Sequence, residues 1–339
     1  MNQHKLSKGP LLNDLGNLSE AGYHTHLIKA YDKLDVKASR LRLKEWDYYY
    51  IGNDKQAIAL TVADNGYMWL VSISFFDFEI PMHITKSKMK FLGKPLGLPN
   101  DSAKGDIVFE TKEFTFKFLH ENGKRHILVD YPDFSDQGCF TCDLYLEQTT
   151  PHSMVIATPF KKDKHFYYNQ KINLLKASGK VDALNNIYDF KDAIGVLDWG
   201  RGVWTYHNIW YWSSLNAKQD NHYIGFNLGY GFGDTSKATE NMFFYDDQYY
   251  KLKDIIFDIP KTGKTYHYME PWKIYDEKKS IDLTFTPIID RNSKSNVILI
   301  KSVQHQVFGT FSGTVKINDE KTFEIKDLLG FAERVENKW

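Results

Sequence analysis

The stretch LDWGRGVWTYHNIWYWSS, Leu197 to Ser214, concentrates groups that could do chemistry: four of the chain's eight Trp, two Tyr, an Asp, an Arg and a His. Read as an extended strand from Val203, alternation places Trp204, Tyr206, Asn208, Trp210 and Trp212 on one face and Val203, Thr205, His207, Ile209 and Tyr211 on the other. Strands that only fill a core use Val, Ile and Leu, whereas Trp and Tyr each bring an N–H or O–H that needs a partner. The even-numbered face is therefore expected to line a cavity for a ring-shaped or extended apolar ligand. The alternative is a barrel filled by its own large side chains.

Ahead of this strand, DWGRG reads as a tight turn, with Gly200 and Gly202 flanking Arg201. Asp198 and Arg201 are expected to pair across it, either to order the turn or to anchor a carboxylate, phosphate or hydroxyl-rich ligand on the guanidinium fork. In that second case Asp198 orients the Arg or acts as a general acid. In YIGFNLGYGFG, Asn227 alternates with Gly225 and Gly229, which suits a face approached closely by a ligand or another backbone. Glu240 and Asn241 open the next strand, TENMFFYDD. Glu45 and Asp47 of KEWDYYYI share a strand face, with Cβ atoms roughly 6 to 7 Å apart; such a pair divides into acid and base if burial separates the two pKa values, and otherwise stays solvated or paired with Lys and Arg. The catalytic candidates are thus Asp198, Arg201, Tyr206 and Glu240. The ligand-binding candidates are Trp204, Asn208, Trp210, Trp212, Asn227, Glu45 and Asp47, joined by Trp272 of EPWKI.

Other chemistries lack their motifs. GxSxG, HExxH, a Walker loop and a strand-borne GxGxxG are missing, and no pattern calls for a cofactor. The twelve His are scattered; His24 and His26 alternate, and His305 stands alone, without a third ligand at metal spacing. Cys139 and Cys142 spell CxxC, but on a strand that spacing sends the two thiols to opposite faces, which reads as an incidental pair.

The elements that must position these residues follow period two. Phe114, Phe116 and Phe118 share a face, ENGK turns, and Ile127 and Val129 resume; Ile281, Leu283 and Phe285 alternate with Asp282, Thr284 and Thr286; a last hairpin is expected about Asn318 to Lys321. Only Thr25–Asp32 and Asp182–Asp192 could hold short helices. An all-β, mainly antiparallel protein follows, and 339 residues suit two domains. Each half carries a Trp-centred strand, and patterning lapses over Lys176–Gly195, so the boundary is drawn at 185/186. Forty-three basic residues balance 43 acidic ones without a one-sign block, which argues against nucleic acid as a partner. The start lacks a signal peptide and no run is long enough for a membrane span, so a cytoplasmic location with a small-molecule ligand is expected. The sequence does not specify an oligomeric state.

Taken together, FYYNQKINLL, GVLDWGRGVWTYHNIWYW, IGFNLGYGFGD, ENMFFYDD, EPWKI and QVFGTFSG, with KEWDYYYI near the start, resemble the DUF2804 family of bacterial proteins. That family is similar to the lipocalin-like proteins that include carotenoid 1,2-hydratase, AttH and tocopherol cyclase. The resemblance implies two consecutive calycin-type antiparallel β-barrels or half-barrels. It also implies one possible chemistry, protonation of an alkene by a carboxylic acid such as Asp198 with the cation held on the ring faces of Trp204, Tyr206, Trp210 and Trp212. Three readings stay open: acid–base chemistry on an apolar or isoprenoid-like ligand, carbohydrate chemistry by two carboxylates roughly 5 to 9.5 Å apart, and a non-catalytic carrier.

Overall fold

The computed structural model describes residues 3–297, 300–317 and 321–338. Its two large sheets are antiparallel and curled, and each wraps a lumen filled with side chains. In the first sheet Leu43–Gly52, Gln56–Asp64, Met68–Asp77 and Met82–Phe91 form one meander, and Phe166–Ala183, Gly138–Gln148, Lys124–Ser135, Thr115–Glu121 and Ile107–Glu110 follow on the other side. The strand Ile194–Val203 joins the two, pairing with Leu43–Gly52 on one edge and Phe166–Ala183 on the other. The second sheet runs from Gln248–Lys251 through Met242–Tyr245, His222–Tyr230, His207–Gln219, Thr322–Lys338, Ile300–Lys316, Ile281–Val297 and Trp272–Tyr275 to Ile256–Asp258.

Alternation explains which residues enter each lumen. Tyr49, Ile51, Leu60, Phe75, Phe116, Leu197 and Trp199 fill the first, and Leu215, Phe226, Trp272, Phe285, Phe311 and Ile325 the second. The opposite faces are buried as well. Tyr48, Tyr50, Phe76 and Val196 of the first sheet pack on Trp212, Ile289, Phe308 and Phe331 of the second, so both faces of the central strands read apolar. Tyr50 meets Phe331 edge-on at 5.5 Å, and the Phe76 and Phe308 ring centres are 4.3 Å apart.

Three expectations change. The sheets hand over between Val203 and His207, past the boundary drawn at 185/186, because Asn186–Asp189 and Ile194–Val203 both hydrogen-bond to Phe166–Ala183. Neither suggested helix forms: Lys29–Ala30 is strand, and Asp182–Asp192 is a hairpin turning at Leu184 and Asn185, both with positive φ. DWGRG is no turn; it lies inside the fully buried strand Ile194–Val203. The CxxC does sit on a strand, Gly138–Gln148, with Cys142 buried and its thiol pushed up by burial. The tip of the expected hairpin, Asn318 to Glu320, lies outside the described residues.

Glycine at 200 has a different cause from the one its motif suggested. A Cβ there would overlap the six-membered ring of the Trp46 indole, which occupies that space. Gly200→Ala is expected to cost roughly 1 to 3 kcal/mol, as overpacking does elsewhere, and the cost should shrink when Trp46→Leu is added. Denaturant unfolding of the two single variants and the double variant measures this, and strictly additive costs would remove the explanation.

Candidate functional site

Where the two sheets meet, polar groups are buried among aromatic rings. Lys171 and Asp198 stand opposite each other on neighbouring strands, and their side chains reach into the junction as an ion pair of 2.7 Å. Asn169 Nδ2 donates to the other Asp198 oxygen at 2.6 Å and to the Trp199 carbonyl at 2.9 Å. From the second sheet, Trp212 lays its ring face 3.8 Å from the Lys171 ammonium. Its indole N–H donates to Asn227 Oδ1 at 2.7 Å, and Asn227 Nδ2 donates to the Glu240 carbonyl. The Glu240 carboxyl rests on Gly229, where a Cβ would come within 2.9 Å of it.

Glu333 completes the cluster. Trp210 Nε1–H donates to one of its oxygens at 2.8 Å and Gln306 Nε2–H to the other at 3.1 Å. Gln306 in turn accepts from Tyr48 Oη and from Arg291. Burial pushes Glu333 up to about 7; Asp198 adds to the rise, while the Trp210 bond, Lys171 and Arg291 oppose it. Burial likewise raises Glu240, with Asp198 acting in the same direction. The Tyr167 phenol is held well above its ordinary value by burial and then by Glu240, Asp198 and Glu333. A carboxylic acid near 7 beside aromatic faces is equipped to exchange a proton at neutral pH.

Beside these groups stands a wall of rings. Trp46 stacks on Tyr167 at 6.1 Å and meets Trp204 edge-on at 5.3 Å, and Trp204 meets Trp210 at 5.9 Å. Phe232 fills the space between them. Two open cavities lie elsewhere: one of about 520 Å³ at the mouth of the first lumen, by Lys33, Leu43, Glu45 and Asp64, and one of about 320 Å³ beside His267, Tyr268 and Asp290. Neither has the junction's convergence of carboxyls, amine and rings, so the chemistry argues for the junction over the larger spaces.

The profile of the family described as Domain of unknown function (DUF2804) matches residues 3–339. The chain belongs to the DUF2804 family. No curated protein matches its sequence. Among solved structures, a putative AttH from Nitrosomonas europaea is similar at 12% identity and a TM-score of 0.53, over 90% of this chain and 97% of that one. Kievitone hydratase from Nectria haematococca is similar at 12% identity and a TM-score of 0.54, over 100% and 98%. At that identity the likeness shows the fold, so this DUF2804 protein is a pair of lipocalin-like half-barrels.

Within it, the residues singled out by sequence fall into separate places. Asp198, Trp204, Trp210, Trp212, Asn227 and Glu240 meet at the junction, but the even-numbered Trp face turns to the other sheet and not into a lumen, and the cavity expected along it is filled, Trp204 and Trp212 being buried in apolar clusters; Tyr211 and Leu215, on the odd face, belong to the second lumen. The Asp198–Arg201 pair does not form. Three residues apart on a strand, the two point to opposite faces, and Arg201 is fully buried in the first lumen, 3.0 Å from Asp47 and 3.6 Å from Glu45, over the Trp199 ring. It also donates to the carbonyls of Trp46, Gly200 and Pro99, which ties the 92–106 loop to the barrel. Glu45 and Asp47 are thus Arg201's counter-ions, remote from the Trp face. Tyr206 is 46% exposed on the connection between sheets. Asn208 closes that connection by bonding Thr205 twice, and Trp272 is core, donating to the Tyr268 carbonyl.

Sequence reading missed Lys171, Glu333, Gln306, Tyr48 and Tyr167. Lys171 had a signal, because FYYNQKINLL is a strand buried at every position that carries Asn, Gln and Lys in its middle. Glu333 had one as well, alternating with Phe331 and Val335 on a buried face.

Removing either partner of the buried pair strands a charge. In this DUF2804 protein Lys171→Met and Asp198→Leu should each cost roughly 3 to 5 kcal/mol. Together they should cost less than the sum, by about 0.5 to 3 kcal/mol of coupling. A double-mutant cycle in urea reads this, and additivity would mean that the two do not act as a unit.

Proposed function

We propose that the junction binds an unsaturated, largely apolar small molecule and performs acid–base chemistry on its carbon–carbon double bond, as a hydratase would. The observation that carries this reading is Glu333, a fully buried carboxyl poised at about 7, held by two N–H donors and walled by aromatic rings. The fold shared with kievitone hydratase, whose name records a hydration, supports it by analogy.

In this reading protonated Glu333 gives its proton to one alkene carbon, and the π pair becomes the new C–H bond. The cation left on the other carbon lies against the faces of Trp46, Trp204 and Trp210, which stabilise positive charge. Water adds there through a lone pair and passes a proton to the Asp198 carboxylate, which returns it to solvent; Glu333 recovers its own from solvent. Lys171 and Asn169 hold Asp198 oriented for that step. The carbohydrate reading receives less support, since the Trp212 face is covered by Lys171 and the Trp210 and Trp212 N–H groups are already bonded.

The test starts from protein isolated from its own host, with native mass spectrometry identifying the small molecule that accompanies it. Incubation with that molecule should yield a product heavier by one water, and Glu333→Gln should bind the molecule without this gain. Binding without any mass gain by the unaltered protein would leave a carrier.

The same carboxyl sets a pH dependence of stability. Its pKa rises on folding from 4.5 to about 7, so between these values the folded state holds more protons than the unfolded one. Stability therefore falls as pH rises from about 4.5 to about 7, by an amount on the order of 3 kcal/mol. Glu333→Gln should flatten this part of the curve and be the more stable protein at pH 8. Thermal or urea unfolding across that range checks it; an unchanged slope would mean that Glu333 is not the titrating group.

A further inference from the structure

The aromatic box at the junction has an occupant supplied by the chain itself. Phe232 is 6% exposed, and four rings stand around it, Phe160, Tyr167, Trp204 and Trp210, at centre distances of 5.3, 4.7, 4.7 and 5.3 Å. Each lies at 74 to 88° to the Phe232 plane. Such edge-to-face walls on four sides fit one six-membered planar ring. Phe160 and Tyr167 come from the first half-barrel, Trp204 from the connection and Trp210 from the second, and Trp210 also donates to Glu333. Whatever ring occupies the box is therefore one indole, that of Trp210, away from the buried acid.

Phe232 is carried in a way suited to leaving. It sits between Gly231 and Gly233, both in the left-handed region with φ of 94° and 75°. A Cβ at Gly231 would press on the Ile209 carbonyl at 2.6 Å, and one at Gly233 would overlap Thr158. Both positions therefore need glycine, for the left-handed backbone and for the close approach. The segment has no strand partner, and few bonds hold it to the first half-barrel: Asp234 N–H donates to the Pro159 carbonyl at 2.8 Å, and Thr158 Oγ1 to the Phe232 carbonyl at a long 3.4 Å.

We infer that this box is the subsite for one planar, unsaturated ring of the ligand, and that Phe232 is its displaceable occupant. The inference rests on the reading of the junction as a ligand site and adds the ligand class: a molecule with a flat six-membered ring that enters the box as Phe232 swings out, bringing its attached double bond beside Glu333. Phe232 would then set both access and ring size. An acyclic ligand would gain nothing from the four walls.

The experiment uses the whole protein labelled with 5-fluorotryptophan, 4-methylphenol as a single-ring probe and hexanol as an acyclic control, with each resonance assigned by Trp→Phe replacement. The unaltered protein should bind 4-methylphenol with saturable shifts of Trp204 and Trp210, and hexanol at least tenfold more weakly. Phe232→Ala should tighten 4-methylphenol at least tenfold, since no ring has to be displaced, and Phe232→Trp should weaken it by a similar factor. Phe232→Leu replaces Phe232→Ala if that variant fails to fold. Binding by Phe232→Ala alone is an engineered cavity and overturns the inference, as does equal affinity in all variants or no preference over hexanol. These readouts need no turnover: if they fail while Glu333→Gln loses the water addition, the gate falls and the acid stands, and the opposite pattern leaves a ring-binding site without hydration.

Discussion

Of the three buried carboxyl groups at the junction, Asp198 has the close ion pair, with Lys171, and this uneven matching sets the charge pattern there. Lys171 makes its short contact with Asp198, while Glu240 feels Lys171 and Lys251, and Glu333 feels Lys171 and Arg291, only through space. Burying an ionised carboxylate without a close counter-ion costs several kcal/mol, so the two unmatched groups are pushed toward their neutral, protonated forms. The ion pair holds an anion next to acids. A site with that charge pattern has a proton donor and a proton acceptor in place before any ligand arrives.

The imbalance follows from the packing of the two half-barrels. Both half-barrels present apolar outer faces, Tyr48, Tyr50 and Phe76 against Trp212, Phe308 and Phe331, and neither face is tolerable in solvent alone. Packing the sheets together buries the carboxyls with them. Close approaches then follow from small residues: Gly200 admits the Trp46 ring, Gly229 admits the Glu240 carboxyl, and Gly225 admits Leu174. Leu174 itself sits at a bulge with φ of 58°, its N–H taken by Asn216 of the other sheet, so even the backbone irregularity of the longest strand in the first sheet is pinned across the junction.

Much of this was legible in the chain. Alternation gave the strands and the all-β class, and it separated the two faces of His207–Trp212, but the strand expected from Val203 breaks at Trp204–Tyr206, where the chain passes from one sheet to the other. It could not say which face looks into a lumen, because that depends on the sense in which a sheet curls, and sheet curl is a tertiary property. DWGRG misled for a related reason. Two glycines look like a turn when only local backbone freedom is considered, whereas here they make room for rings from elsewhere, Trp46 over Gly200 and Trp204 beside Gly202. Lys171 and Glu333 were readable as polar residues in buried strands, yet 162 positions separate them, and only the pairing of the second sheet's last strand with its first brings Glu333 alongside Trp212.

The filled lumens are one reason to look for a site between the half-barrels. In the first lumen Arg201 is matched by Asp47 and three carbonyls, and in the second Trp272, Phe285 and Phe311 pack against one another. The packed interior of each lumen resists a guest, since opening it means breaking a sheet; the first is open only at its mouth, by Lys33 and Glu45. The junction is different: its two walls belong to separate hydrogen-bonded sheets, and part of the contact is made by a loop, Gly231 to Asp234, that has no ladder to lose. Moving that loop costs side-chain contacts but no strand pairing. A loop without strand pairing and a set of buried titratable groups therefore adjoin one another at the junction, between the two sheets and not in the packed interior of either lumen.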